Sequence, residues 1–108
     1  MGEMQTIRTP DGEFGAYVAR PAAAKAPAIV VIQEIFGVND ALRATAENLA
    51  DMGFIAIAPD LFWRQEPGVQ LDSNTKEGWD RAMVLFQGFS ETKGVEDLVA
   101  TQIGRAHV

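Results

Sequence analysis

The run Ala28–Ile32, "AIVVI", limits the possible folds more than any other feature of the chain. Five consecutive apolar residues, most of them β-branched and none alternating with a polar one, read as a strand covered on both faces. Such strands belong to parallel sheets with helices on either side. A second run of this kind, "FIAIA", occupies 54–58 and ends at Pro59-Asp60. Between the two lies a helical period: Asn39 or Asp40 as N-cap, then Leu42, Thr45/Ala46, Leu49 and Met52 as the apolar stripe, with Gly53 as the C′ stop. Strand, helix and strand in this order predict a parallel βαβ unit with a right-handed crossover. The first strand, expected over 28–33, runs into Gln33-Glu34, with Ile35 and Phe36 following. An ionised carboxylate next to a core is costly unless something pairs with it. Sites in open α/β sheets form at the carboxyl ends of strands, which makes Glu34 the first candidate functional residue.

The flanks complete the outline. Residues 4–20 alternate around Pro10-Asp11-Gly12, with Ile7 before the turn and Phe14, Ala16 and Val18 after it, the pattern of a β-hairpin. "PAAAKAP" (21–27) connects it to the first buried strand, and "LFWRQEPGVQLDSN" (61–74) is an irregular excursion. Asn74 or Thr75 opens a second helix with Trp79, Ala82/Met83, Phe86 and Phe89 on one face. Val95, Leu98, Val99 and Ile103 predict a third after a break at 90–94. The expected class is α/β: an antiparallel hairpin leading into a parallel sheet flanked by helices. Two parallel strands and a hairpin leave an apolar sheet edge open, so the chain reads as the front part of a larger fold.

At 108 residues the chain holds one domain, and no apolar run reaches the roughly 18–20 residues of a membrane helix. There is no signal-peptide pattern, and zero cysteines fit a cytoplasmic location. A net charge of −6 without a basic patch argues against nucleic acid as a partner. No metal-ligand spacing, G-x-G-x-x-G or Walker loop is present, and no cofactor is expected.

"QEIFGVND" (33–40), followed by "NLADMGFIAIAPDLFWRQ" (48–65) and Pro67-Gly68, resembles the dienelactone hydrolase family of α/β-hydrolases over roughly residues 4–100. The resemblance implies the N-terminal part of an α/β-hydrolase fold. It also implies a small-molecule ester or lactone substrate, hydrolysis by a Cys–His–Asp triad, and no cofactor; the full-length protein is expected to be a monomer. It gives Glu34 a place beside the nucleophilic thiol, where a carboxylate can accept the thiol proton or pair with an arginine. It makes the Ile35 backbone N–H one oxyanion-hole donor. The Arg and Tyr with which members of the family hold a substrate carboxylate fall, in ungapped alignment, on Trp79 and Met83. An apolar pair cannot neutralise a carboxylate, so either the alignment slips or the substrate is different or less anionic; the second is the expectation. Arg81 lies two residues away, on another helix face.

The chain has no Cys, no G-x-S-x-G and a single His, so nucleophile, base and acid of the triad are missing and the 108 residues are expected to be inactive. His107 is not the triad base, which in this fold comes near the end of the domain. Asp60 is expected to be a turn residue, and Asp11, Asp72 and the acidic residues of 91–97 solvated charges. The hydrolase-like part is expected to cover 1–101. The tail "QIGRAHV" (102–108) back-translates to CAG-ATC-GGA-AGA-GCA-CAC-GTC, a common sequencing-adapter sequence, and is expected to be non-native. The alternative from another class is a stand-alone, non-catalytic flavodoxin-like βαβ module that binds a ligand or partner at the Glu34 loop.

Overall fold

Pro10 and Asp11 turn the chain between β1 (Gly2–Thr9) and β2 (Gly12–Ala19), which pair antiparallel with Ile7 opposite Phe14. These and the elements below come from a computed structural model that describes residues 2–104. After the connector, β3 (Ala28–Val30) leads to α1 (Asp40–Asp51), and β4 (Ile55–Pro59) follows. The chain continues into α2 (Lys76–Gln87) and α3 (Glu91–Gly104). The sheet order is β1-β2-β4-β3. β3 and β4 run parallel, as the βαβ pattern requires, while β4 pairs antiparallel with β2, so the sheet is mixed.

Alternation along β2 and β4 divides the core into two faces. Tyr17, Ala19, Ala56 and Ala58 pack with Ala46 and Ala50 of α1, the alanines letting helix and sheet approach closely. Phe14, Ala16, Val18 and Ile57 point to the other face, where Ala100 of α3 packs against them. Helices therefore cover both sides of the sheet.

The local signals hold where the cause is local. The Asn39 side chain accepts the Leu42 N–H at 3.1 Å and caps α1. Gly53 follows the C-cap at φ +101, in the left-handed region that favours glycine. Thr75 caps α2 through the Gly78 N–H at 3.0 Å.

Four expectations are corrected. The strand expected over 28–33 pairs only through Val30, and its residues are half-buried because β3 is an edge; Ile32 beyond it is 59% exposed. Met52 lies at the C-cap of α1, outside the buried stripe, and is exposed. α2 is turned by one residue, about 100°: Gly78, Ala82 and Leu85 are buried, while Trp79, Met83 and Phe86 are exposed. The reason is contact at its first turn, where a Cβ on Gly78 would lie 2.0 Å from the Asp72 carbonyl oxygen. α3 likewise buries Gly94, Asp97 and Thr101 and exposes Val95, Val99 and Ile103.

Candidate functional site

β3 and β4 are parallel, so the segments leaving their carboxyl ends emerge side by side. The Gln33 Oε1 accepts the Leu61 N–H at 2.9 Å. The Phe36 carbonyl accepts the Leu71 N–H at 2.9 Å, and the Asn39 Nδ2 donates to the Leu71 carbonyl at 2.9 Å. Gly37 makes an isolated bridge to Gln70 at φ +77, and a Cβ there would meet the Val69 carbonyl oxygen at 2.1 Å. Residues 33–39 are thus tied at three points to the segment after β4.

Glu34 borders two of the cavities on this rim. One, of about 340 Å³, is lined by Glu34, Phe36, Asn39, Thr45, Ser73 and Trp79. The second, of about 170 Å³, is mainly apolar, with Ile35, Leu61, Phe62, Phe86 and Phe89 around Gln33 and Glu34. Among the described residues no Lys or Arg lines either cavity. Trp79 stands edge-on to Phe36, with ring centroids 4.9 Å apart, and its Nε1 donates to the Ser73 carbonyl at 2.7 Å. Its ring is therefore a fixed wall.

The structure brings Glu34, Ile35 and Trp79 to one rim. Glu34 is exposed, which corrects the picture of a carboxylate pressed against the core: the short β3 releases the chain to the surface before residue 34. No hydrogen bond among the described residues uses the Ile35 N–H. Met83 sits one turn beyond Trp79, is 40% exposed, and lines neither cavity. Arg81 pairs with Glu66 at 2.5 Å, away from both. His107 lies outside the described residues.

Asp60 is 4% exposed, with Oδ1 accepting the Phe62 N–H and Oδ2 the Gly68 N–H at 3.2 and 2.8 Å. It is a turn residue as expected, and burial holds its pKa above the usual carboxylate value. Asp97 overturns the expectation of a solvated charge. It is 1% exposed and binds Arg64 through Nη2 at 2.8 Å and Nε at 3.1 Å, with the Trp63 Nε1 donating to it at 2.9 Å. Arg64 also reaches Asp11 at 2.8 Å, and Lys93 lies 3.3 Å from the same carboxylate, so Asp11 is ion-paired as well. The only sequence signal for this cluster is a basic residue directly after Leu61-Phe62-Trp63, since its acidic partners lie 33 and 53 positions away. Among the described residues no group of acidic, His or Cys side chains is placed to hold a metal.

A candidate carboxymethylenebutenolidase of Azospirillum brasilense is 54% identical over 84 residues, which is 77% of this chain and 36% of that protein. The carboxymethylenebutenolidase of Pseudomonas knackmussii is 47% identical over 96 residues, 88% of this chain and 41% of the relative. The crystal structure of a candidate dienelactone hydrolase from Klebsiella pneumoniae superposes with a TM-score of 0.57 at 38% identity, over 62% of this chain and 29% of that one. The chain spans well under half the length of the curated relatives it matches. The profile of the Dienelactone hydrolase family matches residues 14–105, and the chain belongs to that family.

Proposed function

We propose that residues 1–101 are the oxyanion-binding side of an enzyme that hydrolyses an enol lactone or related carboxylic ester through a Cys–His–Asp triad lying outside these 108 residues. The carrying observation is the unused Ile35 N–H on a loop tied at three points beside a cavity. In this reading a thiolate attacks the ester carbonyl carbon and the oxygen becomes an oxyanion, which the Ile35 N–H and a second amide after the nucleophile stabilise. The carbon–oxygen bond to the leaving group then breaks with protonation by the triad histidine. Water cleaves the resulting thioester, releasing the acid and restoring the thiol. Glu34, at the same rim, accepts the thiol proton as substrate enters. Its exposure in the isolated segment is compatible with that role, because the thiol would stand in front of it.

The cavity argues for the substrate class. With Trp79 as a wall and no Lys or Arg among the described residues around either cavity, an ester with a neutral or aromatic acyl part fits this segment better than a dianionic one. Residues 102–108 are proposed to be foreign to the protein, and the segment is proposed to work as part of a monomer in the cytoplasm.

The test is expression of the full-length protein that carries this segment beside the 108-residue chain, with p-nitrophenyl acetate and an enol lactone as substrates. Turnover by the first, abolished by alkylating its thiol, with none above background by the second, is the expected result. Hydrolysis by the 108 residues, or a full-length protein indifferent to thiol alkylation, would refute the assignment.

A further inference from the structure

Gln33 uses both ends of its amide. Its Oε1 accepts the Leu61 N–H at 2.9 Å, and its Nε2 donates to the Glu34 carbonyl at 3.0 Å. The first bond fastens the side chain to a rigid point: Leu61 follows Asp60, whose own N–H donates to the Gly15 carbonyl of β2 at 2.9 Å. The second bond acts on the peptide group that joins Glu34 to Ile35. That group is planar and trans, so its C=O and N–H point in opposite directions, and fixing one fixes the other. A donor on the carbonyl also polarises the amide and strengthens its N–H as a donor.

Resting on the hydrolase reading above, we propose that Gln33 is a positioning residue that aims the Ile35 N–H at the oxyanion, carrying the rigidity of the β4 end across to the loop after β3. Gln33 lines the smaller cavity at its edge and need not touch substrate to act. Its effect belongs to the transition state, because a carbonyl oxygen gains from an aligned N–H chiefly as it becomes an anion.

The experiment uses the full-length protein with Gln33→Glu and Gln33→Met. The carboxylate variant keeps an oxygen for the Leu61 N–H but has no donor for the Glu34 carbonyl. The thioether variant keeps the length, carries neither group, and guards against a charge effect in the first. The expected result in both is a fall in kcat of roughly 10-fold, below the roughly 10²- to 10³-fold that removing an oxyanion donor outright costs. KM stays unchanged, and affinity for a trifluoromethyl ketone, which forms a tetrahedral adduct, falls in proportion to kcat. The melting temperature of Gln33→Glu stays at that of the parent, which a merely structural role would not allow alongside lost kcat. An unchanged kcat in both variants, or a loss carried by KM alone, overturns the role of Gln33 while leaving the hydrolase assignment standing. Absence of hydrolysis by the unaltered full-length protein overturns that assignment, and this role with it.

Discussion

Asp97 shows how much one residue can decide. A carboxylate 1% exposed is tolerable only because Arg64 and Trp63 supply three hydrogen bonds to it. Asp97→Ala leaves Arg64 with its other partner, Asp11, but takes the acceptor from the Trp63 Nε1, and costs about 1–3 kcal/mol of stability. Asp97→Asn, which keeps an acceptor, costs less, and urea midpoints rank the two. Asp60 and Asp11 shift in opposite directions. Asp60 is raised above 3.8, chiefly by burial. Asp11 is lowered below 3.8, chiefly by its hydrogen bonds to Arg64 and Lys93. Asp60 therefore contributes stability that is fully present below its unfolded pKa and is lost as pH rises through its folded value. Asp11 contributes stability that is present above its unfolded pKa and is lost as pH falls through its folded value. Carboxyl-carbon NMR titration is expected to place Asp60 above 3.8 and Asp11 below it, and the reverse order would contradict the structure.

At the scale of elements, Gly37 and Gly53 both have positive φ but different surroundings. A Cβ at Gly53 meets nothing within 4 Å, whereas one at Gly37 would strike the Val69 carbonyl. Gly53→Ala should cost about 1 kcal/mol, from the left-handed backbone alone. Gly37→Ala should cost more and should displace the loop that carries Glu34 and Ile35, as thermal melts of the two variants will show. The contrast mirrors what was legible beforehand. Caps at Asn39 and Thr75 and the stop at Gly53 depend on neighbours three or fewer positions away, and the sequence displays them directly. The phases of α2 and α3 do not. Their inner faces carry Gly78, Ala82, Gly94, Asp97 and Thr101, small or polar residues chosen by the Asp72 carbonyl, the Phe89 ring and Arg64, so reading only the large apolar residues turns both helices outward. The site was legible in the same measure. "QEIFG" placed Glu34 and Ile35 at a strand end, as the structure has them, while the exposure of Glu34 followed from the shortness of an edge strand that looked buried. Trp79 joined them, and Met83, a turn further along an exposed face, did not.

Across the whole molecule, large apolar side chains remain in water: Ile32, Val95, Phe86 and Ile103 are all more than half exposed. The outer edge of β3 has no neighbour among the described residues. A segment of this kind is expected to melt broadly and to scatter light at raised concentration, and Ile32→Lys at the β3 edge is expected to reduce the scattering. A sharp, reversible, concentration-independent melt would instead favour the self-sufficient flavodoxin-like module.

The ties between the two strand-end loops also divide the segment after β4 into parts with different freedoms. Leu61 is gripped by Gln33 and Leu71 by Phe36 and Asn39, while Asp60 closes its own ring onto Gly68. Insertions or deletions inside that ring, around Glu66-Pro67, are expected to leave the neighbouring rim in place. A single deletion between Gly68 and Leu71 would pull on the Glu34 loop directly, so natural variation in length should concentrate at the first place and avoid the second.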